Sequence, residues 1–97
     1  MKYPIDVDAY ILTARREYGA DKELEEKMRL LMNLGNESYE DGLAGAAGYP
    51  MDLDKLVEDF RAETGEVPTS LPVLRRIVDI MNDAYAQGQR DAKEAKA

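Results

Sequence analysis

The hexapeptide YPIDVD (Tyr3 to Asp8) returns as YPMDLD (Tyr49 to Asp54), and this recurrence decides the fold. Sliding the 97-residue chain along itself by 46 positions lays residues 3–48 on residues 49–94 without a gap. Of the 46 aligned pairs 12 are identical, against about 3 from ordinary composition. Arg15, Glu17 and Gly19 fall on Arg61, Glu63 and Gly65; Arg29 falls on Arg75 and Asn36 on Asn82. Tyr39, Gly42 and Ala46 fall on Tyr85, Gly88 and Ala92. Apolar pairs such as Ile5/Met51, Val7/Leu53, Ile11/Val57 and Leu31/Ile77 fill many positions between. The pattern predicts a tandem duplication within one domain, 1–97, made of a helical-hairpin repeat at 3–48 and another at 49–94.

Each copy carries the punctuation of a helical hairpin. Asp6 is placed to cap a first helix, and Ile5 and Tyr10 flank it as a hydrophobic staple. Val7, Ile11, Ala14 and Tyr18 then share one helical face, and Gly19 follows as the stop. The second copy repeats this order with Asp52 as cap, Met51 and Leu56 as staple, a Leu53–Leu56–Val57–Phe60 face and Gly65 as stop. The second helix of each copy is longer. In copy 1 it begins after Asp21 and runs toward Ala47, with Gly35 as the place where it would break. In copy 2, Pro68 and Pro72 delay the start, so Ser70 or Thr69 is the expected cap.

Length arithmetic predicts how the copies meet. A first helix of about three turns covers only half of the longer one. Apolar residues beyond Leu34 and Ile80 therefore need cover from the other copy. The expected architecture is an all-α, four-helix domain with pseudo-twofold symmetry, its long helices crossing near Gly42 and Gly88. The glycine-rich seam could equally face another subunit, which makes a homodimer a further expectation.

Composition narrows the chemistry. The chain has no Cys and no His, which removes disulfides, thiol nucleophiles, thiolate zinc sites and histidine-based triads. No apolar run approaches the ~20 residues of a membrane span, and Met1 precedes no signal-peptide core, so a cytoplasmic protein is expected. The formal charge is −7. Residues 1–36 hold 7 acids and 6 bases, and residues 67–97 hold 4 acids and 5 bases. Residues 37–66 hold 9 acids against Lys55 and Arg61, so the whole excess sits at the joint between copies and in the third helix. Such a surface repels nucleic acid and favours a protein partner with a basic surface.

Two sets of residues are candidates for function. The acidic surface comprises Glu40, Asp41, Asp54, Glu58, Asp59, Glu63 and Glu66. The second set, Tyr3, Asn36 and Tyr39 with Tyr49, Asn82 and Tyr85, would gather at the open end of each hairpin. Repeated tyrosines and asparagines there serve either as paired ligand pockets or as structure, with aspartates capping and tyrosine hydroxyls bonding aspartate or helix-end backbone.

Glu23-x-x-Glu26 followed by Glu37-x-x-Glu40 resembles the acidic pairs of all-α nucleotide pyrophosphohydrolases, which bind Mg²⁺. The ExxD half of that pattern is not met, and copy 2 carries Thr69, Pro72, Asp83 and Ala86 at these positions. No catalytic residue, metal ligand or cofactor is therefore assigned, and no enzyme is expected. In size, acidity and lack of catalytic groups the chain resembles the small phage proteins that disable host defences, the anti-CRISPR and anti-restriction proteins. That resemblance implies a non-enzymatic binding protein that occupies a protein partner. The alternatives are a ligand-sequestering or sensing module with two equivalent polar pockets, and a helical assembly or dimerisation component.

Overall fold

A computed structural model of the chain describes residues 2–96. The fold is all-α with four helices: α1 (Val7–Tyr18), α2 (Lys22–Ala44), α3 (Leu53–Thr64) and α4 (Leu71–Lys96). Aspartates open the first three. Asp6 accepts from the Ala9 N–H at 3.2 Å, Asp21 from Leu24 at 2.8 Å and Asp52 from Asp54 at 2.9 Å, each satisfying an otherwise unpaired helix-end donor. Glycine closes the short helices. Gly19 (φ 63°) and Gly65 (φ 72°) take the left-handed conformation and return their N–H groups to Ala14 and Arg61.

Helix α2 runs as one long helix through Gly35, the break there not occurring; the Tyr3 ring lies over that position, and a Cβ there would stand 2.8 Å from Tyr3 Cε1. It stops at Ala44, short of Ala47, where the Gly45 N–H turns back to the Asp41 and Gly42 carbonyls. Helix α4 starts beside Ser70, whose carbonyl accepts from the Leu74 N–H at 3.1 Å. Pro72 thus occupies the first turn, where its missing donor costs nothing.

The helices pack in a row, α1 on α2, α2 on α4 and α4 on α3. Met32 and Ile80 line one groove, and farther along both helices Gly42 meets Gly88, so α2 and α4 run in the same general direction. Their contact is reciprocal. A Cβ on Gly42 would fall on the Tyr85 carbonyl oxygen, and one on Gly88 would fall on the Tyr39 carbonyl oxygen. Either Cβ would stand 3.0 Å from the Cα of the opposing glycine. Ser38 and Ala84, at equivalent places in the two copies, are fully buried. Small residues at the seam bring backbone against backbone.

The core is built around this seam and the first hairpin, from Tyr3, Ile5, Ile11, Met32, Tyr39 and Ala84. The resulting body measures 43 × 41 × 16 Å. A helix with its side chains is about 10–12 Å across, so the molecule is a slab little more than one helix thick. Thinness explains where the expected apolar faces fail. Ile11 and Ala14 are buried, but Tyr18 at the end of the same stripe is 80% exposed, because the turn at Gly19 leaves nothing above it. No residue of α3 is fully buried: Leu53 and Val57 are half-buried, and Leu56 and Phe60 stand about two-fifths exposed.

Candidate functional site

At the open end of each hairpin an asparagine grips the chain just before the first helix. The Ile5 N–H donates to Asn36 Oδ1 at 2.7 Å, and Asn36 Nδ2 donates to the Ile5 carbonyl at 3.0 Å. In copy 2 the Met51 N–H and carbonyl meet Asn82 in the same way, at 2.7 and 3.0 Å. An amide side chain offers a donor and an acceptor side by side, which matches one residue's N–H and C=O. The residue before each grip belongs to a Tyr–Pro step, and both Tyr3–Pro4 and Tyr49–Pro50 are cis.

The tyrosines stack within each copy and bond outward. The Tyr3 and Tyr39 rings are 5.9 Å apart at 17°, and the Tyr49 and Tyr85 rings 4.1 Å apart at 6°. The Tyr39 hydroxyl donates to Asp91 on α4 at 2.6 Å, tying copy 1 to copy 2. The Tyr49 hydroxyl donates to Asp41 on α2 at 2.9 Å and lies 3.1 Å from Ser38 Oγ. The Tyr85 hydroxyl donates to the Ala46 carbonyl at 2.7 Å, helping to hold the α2–α3 connection. The bond to Asp91, burial and that carboxylate's charge together push the Tyr39 phenol above its usual range. Burial, helped by Asp83, raises Tyr3. Burial also raises Tyr49, with Ser38 opposing and Asp41 adding to the shift.

These six residues come together in two clusters, and the polar atoms of Asn36, Tyr39, Tyr49, Asn82 and Tyr85 are engaged with the protein itself. Tyr3, Tyr39 and Tyr85 are buried and Tyr49 is half-buried. Their chemistry is that of a fastening. Asp91 and Ser38 were missed in the sequence, because neither is matched by a like residue in the other copy: Asp91 faces Gly45 and Ser38 faces Ala84 in the alignment.

The acids divide differently. Asp54, Glu58, Asp59 and Glu63 are all exposed along α3, with Glu66 exposed just beyond its end. Asp54 and Glu58 are spaced i,i+4, as are Asp59 and Glu63, so each pair forms a short ladder up the helix. None of them enters an ion pair among the described residues. Glu40 is exposed on α2, whereas Asp41 is half-buried beneath its bond from Tyr49. Beside α3 lies an open apolar groove of about 400 Å³, lined by Phe60, Val67, Pro68, Val73, Leu74 and Ile77, with Glu66 at its margin. Among the described residues no group of three or more carboxylates converges in a way that would hold a metal ion, and no helix is long and apolar enough to cross a membrane.

No protein-family model matches the chain, and neither a curated protein nor a solved structure matches it.

Proposed function

We propose that this is a non-enzymatic binding protein that occupies a basic protein partner through α3 and the groove beside it. The observation that carries the reading is the state of α3: five exposed acids, at Asp54, Glu58, Asp59, Glu63 and Glu66, on and just beyond a helix with no fully buried side chain, only Leu53 and Val57 being half-buried. An outer helix that contributes so little to its own core is free to contribute to another protein's. The acids steer a basic surface toward the helix and set its register. Phe60, Leu56 and Val73, each substantially exposed, supply the apolar contact that charge alone lacks. Occupying a partner's basic surface is also how an inhibitor of the phage type described above would act.

Capture of a partner from the native cell, followed by charge reversal, tests the reading. Changing Glu58, Asp59 and Glu63 together to Lys is expected to weaken binding about tenfold or more at moderate salt, chiefly through the association rate. Helicity by circular dichroism should stay as it was, since these side chains are exposed and enter no ion pair among the described residues. Unchanged affinity in the triple variant contradicts the assignment.

A further inference from the structure

The face of the slab formed by α1, α2 and α4 carries a second apolar groove, distinct from the one beside α3. Tyr10, Met28, Leu31, Met32 and Ile80 line it over Tyr3 and Ile5, and no charged residue does. Its walls are unusually open for core-type residues: Tyr10 is 49% exposed, Leu31 41%, and Leu24, one turn before Met28 on the same stripe, 47%. Helices bury an apolar stripe against a second layer, and this single-layer body supplies none.

The size of the uncovered area can be stated. A compact monomer of 10.9 kDa exposes about 5,600 Å², so the 7207 Å² of this chain is an excess of about 1,600 Å². Its radius of gyration, 15.6 Å, likewise exceeds the roughly 12.5 Å of a compact chain this long. A standard interface takes about 800 Å² from each partner. An excess of this size, taken over the whole molecule, is as large as one or two such interfaces would cover.

We infer that a second copy of this chain covers the α1–α2–α4 face, making a twofold homodimer through the Tyr10–Leu31 groove. Charge admits that occupant. The lining is uncharged, and the charges that α4 places beside it around Tyr3 and Ile80 are of both signs, Asp83 with Arg76 and Arg90, so two copies do not meet here as like-charged surfaces. A basic partner would find no acid in the lining. The groove also supplies both sides of a self-complementary contact, because the half-exposed Leu31 and Tyr10 are its walls and the natural knobs for its equivalent. Such pairing leaves the acids of α3 outside the dimer.

Sedimentation equilibrium on the intact chain decides the matter. The chain should sediment at twice 10.9 kDa, and Leu31→Glu should weaken dimerisation about a hundredfold or more. Because Leu31 is partly exposed, that variant should keep its helicity; if it unfolds, Tyr10→Lys on the other helix gives the same reading. Phe60→Glu, in the groove beside α3, should leave the dimer intact. A wild-type monomer at every attainable concentration overturns the inference, as does a dimer that both groove variants leave unchanged. A monomer whose groove is filled by a different protein overturns it too.

Discussion

In the first hairpin, α1 buries Ile11 and Ala14 against α2, and Arg15 and Arg29 reach across to Glu25 and Asp8. In the second, α3 only half-buries Leu53 and Val57, and no ion pair among the described residues ties it to α4. Yet both hairpins begin with the same asparagine grip, aspartate cap and tyrosine stack, and both first helices end on glycine. The connection differs. Three residues, 19–21, join α1 to α2, whereas six, 65–70, join α3 to α4 and include Pro68. Ala14 is also replaced by Phe60 at the position that faces the long helix. A bulky ring and a longer connection hold the second pair apart, and the apolar groove beside α3 is the result. The grips and caps define a hairpin; what lies between its helices decides whether it closes.

Substitutions at the shared seam should strike the two copies alike and most severely. Gly42→Val and Gly88→Val each drive a side chain into an opposing carbonyl, and each is expected to cost about 3 kcal/mol or more in urea unfolding. Gly35→Ala should be milder, since its new methyl meets the Tyr3 side chain rather than backbone, though that ring is buried and must shift. A large difference between the Gly42 and Gly88 variants would break the likeness of the copies.

The grips should sharpen the contrast. Asn36→Ala strands the Ile5 N–H and carbonyl beside a packed core, and about 2 kcal/mol of stability should be lost. Asn82→Ala removes the same pair of bonds from the looser hairpin. Met51 is half-buried where Ile5 is buried, so a smaller loss of about 1 kcal/mol is expected. Equal losses would mean that the two hairpins are equally closed.

Alkali should act through the tyrosines. Tyr3, Tyr39 and Tyr49 are all raised in the folded protein, so the unfolded chain releases their protons first. Their contribution is fully present below about pH 10, the ordinary phenol value, and is lost as pH rises through the raised values. Urea midpoints should therefore hold level to that point and then fall, with a shallower fall in Tyr39→Phe. The smallest effects belong to the outer ion pairs. Arg15→Ala should lower Tm slightly and in a salt-sensitive way, while Arg61→Ala should leave it unchanged.

Much of this framework is legible in the residues. Asp6, Asp52, Gly19 and Gly65 mark helix ends by local backbone chemistry alone, the recurrence of Asn36 at Asn82 points to the grip within each copy, and that of Gly42 at Gly88 points to the seam between them. Less legible is anything that depends on what lies overhead. Tyr18 and Phe60 sit on helical stripes that periodicity assigns to a core, but periodicity is blind to a slab with no second layer. Gly35 has the propensity of a helix breaker, and only the distant Tyr3 ring explains its place inside α2. Asp41 belongs to the acidic run in sequence and to the Tyr49 hydroxyl in space.

Amide hydrogen exchange, resolved residue by residue, tests most directly the claim that two like hairpins share a framework and differ in closure. Protection should be greatest around Ser38–Gly42 and Ala84–Gly88, intermediate through α1, and lowest through α3, whose amides should exchange near the rate of local fraying. Protection of α3 equal to that of α1 in the isolated protein would contradict the account.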